Sequence, residues 1–98
     1  MLSAKKFLLA QFCEFLDRNK IKYTCNVRKR EYVADVAMQG AVAIVRRHIT
    51  HEGTMVPQLK KVFQAERVYL VCCSSENTHS TESVKVLQYC EDGKFRAS

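Results

Sequence analysis

The chain has 98 residues, 47% of them hydrophobic and 27% charged, which excludes a disordered tail and leaves room for one modest core. Sixteen basic against ten acidic residues give a formal charge of +6 and a sequence pI near 9.2. On a single small domain spanning 1–98, that excess points to a polyanionic partner. A basic surface kept for solubility is the alternative.

Five cysteines, an odd number, match no paired zinc spacing and fit a reducing setting. Cys13 and Cys25 read as small core hydrophobes, although a disulfide between two of the five stays open. No segment approaches the ~20 apolar residues of a membrane span, and no signal-peptide pattern opens the chain. The reading is a soluble, intracellular protein of the cytoplasm, nucleoid or nucleus, without a membrane partner.

Ser3 suits the N-cap of a first helix reaching about Asn19, with Phe7, Leu8, Phe12, Phe15 and Leu16 at helical spacing. Asn19-Lys20 stops it, with Asn19 expected in the left-handed conformation. Tyr23 to Val27 alternates as a half-buried strand with Tyr23, Cys25 and Val27 on one face. Arg28-Lys29-Arg30 follows as a charged hairpin loop. Tyr32 to Met38 then pairs back, and Gln39-Gly40 turns the chain into Ala41–Val45.

Ala41–Val45 has no polar residue, which predicts burial on both faces and a central strand. A helix is expected from near Pro57, carrying Leu59, Val62 and Phe63 inward. Val68 to Cys73 is a second wholly apolar run, predicted to lie parallel to the third strand after a helical crossover. A polar loop over about 74–83 follows. Residues 83–90 fit either a strand or a short helix; the reading taken is helix, ended by Asp92-Gly93, with fraying over about 94–98.

This order resembles the core of the PD-(D/E)XK nuclease superfamily, the restriction-endonuclease-like fold. The likeness is to small members such as archaeal Holliday junction resolvases and related viral nucleases. Ala34-Asp35 stands where that family has its Pro-Asp pair. Gly40 to Ile44 stands at its turn and central strand, and Leu59 to Phe63 followed by Val68 to Val71 at its crossover helix and fourth strand. The resemblance implies an α/β fold: a helix, a three-strand antiparallel meander, a crossover helix and a parallel fourth strand. It also implies Asp35 as a metal-binding, catalytic carboxylate, Mg²⁺ as cofactor, and a homodimer.

The chain departs from the pattern at Ile44-Val45-Arg46-Arg47, where the family has its second acidic ligand and lysine. Val45 offers a cation no oxygen, and an arginine clamps phosphate but is no base near neutral pH. Glu14 is the acid that could stand in, against its reading as a solvated helix-face residue. Asp35 either takes part in such a site or pairs with a neighbouring arginine.

The basic residues Arg28, Lys29, Arg30, Arg46, Arg47, Lys60 and Lys61 are expected to form one phosphate-binding face, with Lys60 and Lys61 opening the second helix. Solvated loop edges are the other reading. His48, His51 and His79, with Cys72 and Cys73, make poor zinc or nucleophile sets, since VYLVCC reads as a buried strand. The expected function is nucleic-acid binding, DNA before RNA, without chemistry. A Mg²⁺-dependent endonuclease using Asp35 and a displaced acid, and an interaction subunit of a larger assembly, are the alternatives.

Overall fold

A computed structural model of the chain describes residues 4–46, 55–73, 84–90 and 92–97. Helix α1 (Ala4–Arg18) leads into strands β1 (Tyr23–Lys29), β2 (Tyr32–Met38) and β3 (Ala41–Val45). Helix α2 (Met55–Val62) precedes β4 (Arg67–Cys73), β5 (Val84–Tyr89) and β6 (Phe95–Ala97). The strands form one mixed sheet in the order β1-β2-β3-β4-β5-β6, in which β3 and β4 are parallel and every other pair is antiparallel. The coarse α/β expectation therefore holds, including the meander and the parallel fourth strand.

The two wholly apolar runs lie side by side as predicted, with Ala41 opposite Arg67 and Val45 opposite Val71. Both are buried because each face of the sheet carries a helix. Ala43, Val45, Val71 and Cys73 pack with Leu8, Phe12 and Leu16 of α1. Val42 and Val68 pack with Val56 of α2, and Ile44, Leu70 and Cys72 with its Leu59. Leu8, Phe12 and Leu16 recur every four residues, so one stripe of α1 is at most 4% exposed. Burying each contributes roughly 1.5–3 kcal/mol.

Gly40 takes φ +75°, a conformation that favours glycine, and its carbonyl accepts the N–H groups of Glu66 (2.8 Å) and Arg67 (3.1 Å). The turn between β2 and β3 thereby fixes where β4 begins.

Several local expectations are corrected. Arg28 and Lys29 belong to β1, paired with Val33 and Tyr32, so the hairpin turn is only Arg30-Glu31. Lys20, not Asn19, is the left-handed residue after α1, and the Asn19 side-chain amide instead donates to the Phe15 carbonyl at 2.8 Å. Helix α2 starts two residues before Pro57, which the first turn tolerates because its N–H groups lack helical partners anyway. Lys60 and Lys61 consequently sit in its last turn rather than opening it. The segment read as a helix over 83–90 contains strand β5, because pairing along β4 outweighs a weak local preference. Where fraying was expected, Phe95–Ala97 pairs with β5 as β6, and Phe95 meets Tyr89 edge to face.

Tyr23, Cys25 and Val27 do not share a face. Tyr23 packs against the α1 core and Cys25 meets Cys13 of α1, whereas Val27 lines a cleft with Phe63 and Ala65 beyond α2. Between Cys25 and Val27 stands Asn26 at φ +54°, a left-handed residue that turns the strand over. Cys13 is half-buried and packs against the α1 core as expected, whereas Cys25 is exposed and is not a core residue.

Burial, and then the contact with Cys25, pushes the Cys13 thiol from 9.0 up to about 11. The folded state thus keeps a proton that the unfolded chain loses first. Its contribution to stability is complete below pH 9 and disappears as pH rises to about 11. Under reductant, the denaturant midpoint should fall across that window in the wild type and fall less in Cys13→Ala. An equal fall in both would assign the loss elsewhere.

Candidate functional site

Residues 34 and 36 lie two apart on β2 and would share a face on a regular strand. Instead, Val36 packs on the α1 side and Ala34 on the α2 side. Asp35 stands at that reversal, between the pairs Cys25↔Val36 and Val27↔Ala34, in line with the left-handed Asn26. Pairing of β2 with β3 also stops at Val36↔Ala43. Past that point the side chain replaces the ladder: the Val45 N–H donates to Asp35 Oδ2 at 2.7 Å.

Two cations complete the cluster. Lys5 Nζ, from the first turn of α1, lies 3.1 Å from Oδ1, and Arg46 Nη1, just past β3, lies 3.3 Å from Oδ2. Arg46 Nη1 also donates to its neighbour's carbonyl, that of Val45, at 2.9 Å. The Asp35 side chain is 11% exposed, against 55% for Lys5 and 31% for Arg46. A shielded carboxylate is thus satisfied on both oxygens, and it ties α1, β2 and β3 together at one end of the sheet. The lone strand acid that the sequence left to explain is explained by this pairing.

The donor set does not fit the magnesium that the resemblance implies. Magnesium takes oxygen ligands, and both Asp35 oxygens face positively charged or N–H donors. Val45, at the position of the second acid, is fully buried against α1. Glu14 is not brought to Asp35. It pairs with Arg18 at 3.3 Å, and it lies about 13 Å along the helix axis from Lys5, the residue α1 sets against Asp35. Among the described residues, no group of three or more His, Cys, Asp or Glu side chains is placed to hold a metal ion.

The basic residues are distributed around the β1–β2 edge rather than gathered on one face. Arg28, Lys29 and Arg30 are exposed at the hairpin end. Lys29 Nζ lies 5.6 Å from the centre of the Phe63 ring, which brings the hairpin next to the end of α2 that carries exposed Lys60 and Lys61. Arg46 belongs to the other side, where Lys5 joins it on Asp35. Arg47 and the three histidines lie outside the described residues. Cys72 and Cys73 are buried on successive positions of β4, against opposite helices, which removes them as a chelating or nucleophilic pair.

Sequence reasoning missed Lys5 and the Val45 N–H. The spacing carried a signal for the first: Lys5 precedes Leu8 by three positions, so it borders the buried stripe of α1. Among the described residues no helix is long and apolar enough to cross a membrane. No protein-family model, curated protein or solved structure matches the chain.

Proposed function

We propose that the protein binds nucleic acid through its phosphates, DNA before RNA, on a restriction-endonuclease-like scaffold whose cation position is closed by protein donors. The observation that carries this reading is the run of exposed cations Arg28-Lys29-Arg30 beside Lys60 and Lys61, on a chain of net charge +6. Spread over one edge, they follow a phosphate backbone without reading bases. Arg46 adds less than its sequence position suggested, because Lys5, Arg46 and Asp35 together amount to a single net positive charge.

The scaffold reading is supported by the order helix, meander, crossover, parallel strand, with Asp35 on β2. The alternative of a magnesium-dependent endonuclease has Asp35 against it, since its oxygens would first have to shed Lys5 and Arg46.

The test is binding of labelled duplex and single-stranded DNA and of RNA, with magnesium present and absent. The expected result is binding at low salt that weakens steeply as salt rises, with the nucleic acid left intact. Absence of binding at low salt would remove the reading, and magnesium-dependent cleavage lost in Asp35→Ala would replace it with the nuclease.

A second reading, an interaction subunit or a homodimer, is favoured by one feature. An apolar groove of about 470 Å³ runs between α1 and β4–β5, and Phe15 and Ile21 on its border are 51% and 40% exposed. Such a surface suits a protein partner more than a phosphate backbone.

A further inference from the structure

The Sγ atoms of Cys13, on α1, and Cys25, on β1, are 3.7 Å apart. That is non-bonded contact between sulfurs from different elements, and a disulfide needs them only ~1.7 Å closer. All five cysteines are free thiols. Cys72 and Cys73 are buried on opposite faces of β4, and the Cys90 thiol donates to the Gln88 carbonyl at 3.6 Å. Only Cys13 and Cys25 combine contact with exposure: Cys25 is open to solvent on the edge strand of the sheet. Two sulfurs alone make a poor metal site, and the described residues supply no third His, Cys, Asp or Glu donor.

We propose that Cys13 and Cys25 form a reversible oxidation site, closed to an intramolecular disulfide by small-molecule disulfides of the oxidised-glutathione class. The Cys25 thiolate attacks one sulfur of the small disulfide; the S–S bond breaks and one small thiolate leaves. Cys13 then gives its proton to solvent and attacks the Cys25 sulfur of the mixed disulfide, expelling the second small thiolate. Two protein thiols are oxidised and one small disulfide is reduced to two thiols. Exposed Cys25 is the attacking sulfur and half-buried Cys13 the resolving one. The raised pKa of Cys13 lowers the share of resolving thiolate near neutral pH, so resolution should quicken as pH rises.

The new bond closes a short loop and staples α1 to the edge strand, which restricts the unfolded chain. It also secures the helix whose first turn holds Lys5 against Asp35. The proposal rests on thiol geometry and stands apart from any nucleic-acid partner.

The experiment incubates the folded full-length chain with oxidised glutathione and follows intact mass, free-thiol count and disulfide mapping. The expected result is loss of two hydrogens, a fall from five free thiols to three, and a mapped bond between Cys13 and Cys25. The thermal midpoint should rise by roughly 5 °C or more and return on reduction. Cys13→Ser should stop at glutathione attached to Cys25, and Cys25→Ser, an exposed substitution, should leave Cys13 unmodified. The proposal is overturned by glutathione that persists on the wild type, by a bond involving Cys90 or a second chain, by five thiols that survive, or by a midpoint that falls on oxidation.

Discussion

Val45→Glu is expected to cost more than about 4 kcal/mol of unfolding free energy, and magnesium is expected to restore none of it. The substitution would supply the acid missing from the nuclease pattern, so it asks whether that position faces a cation or the core. Val45 is 0% exposed and packs with Leu8, Phe12, Val36 and Val71. A glutamate there must bury its charge or take up a proton at the expense of a strongly raised pKa. Its own N–H is already bonded to Asp35, so a second carboxylate would also stand beside the first. Urea unfolding with and without millimolar magnesium reads the result. Recovery of stability with the metal, together with cleavage, would show a dormant cation site.

Asp35→Ala is expected to cost about 2–3 kcal/mol. Most of this comes from the Val45 N–H, which loses a charged acceptor inside the sheet. The ion pairs add less, because Lys5 is more than half exposed and solvent screens it. Asp35→Asn keeps an acceptor for that N–H and should lose roughly half as much. The effect on binding should run the opposite way. Removing Asp35 deletes one negative charge and releases Lys5 and Arg46, so affinity for duplex DNA at low salt should hold or rise. A catalytic aspartate predicts another pattern, in which both variants keep their stability and lose cleavage.

These two substitutions bear on how much could be read before the fold was known. Ala41–Val45 and Val68–Cys73 were legible because a strand covered on both sides leaves nowhere for a polar side chain. Asp35 was legible as a residue in need of a partner, for the same reason stated in reverse. Its arginine partner was within reach of the reasoning, since Arg46 follows the neighbouring strand directly. The spacing of α1 sets Lys5 at the border of its buried stripe but not beside Asp35, because thirty residues separate the two and only the packing of α1 across the sheet closes that distance.

The turnover of the β1–β2 ribbon was hidden as well. Asn tolerates positive φ better than most residues, but nothing around Asn26 announced that it would use it. The strand β5 depends on its partner: Val84 and Val86 point toward the α1 face and Leu87 toward α2 only once β4 is beside them. The basic residues were legible as a set, and their arrangement was not. Lys29 lies on β1 beside Phe63, and Lys60 and Lys61 in the last turn of α2 join the hairpin there, while Arg46 is drawn away with Lys5 onto Asp35, which divides the expected single face in two.

The claim that exposed cations at the β1–β2 hairpin grip phosphates is tested most directly by salt-titrated binding of duplex DNA to the wild type and to Arg28→Ala/Arg30→Ala. Both arginines are exposed, so the variant should fold as the wild type does. The predicted result is a linear log–log decline for the wild type and a slope shallower by about 2 in the variant, one unit for each phosphate contact removed. Identical slopes, or no measurable binding by the wild type at low salt, would contradict the account.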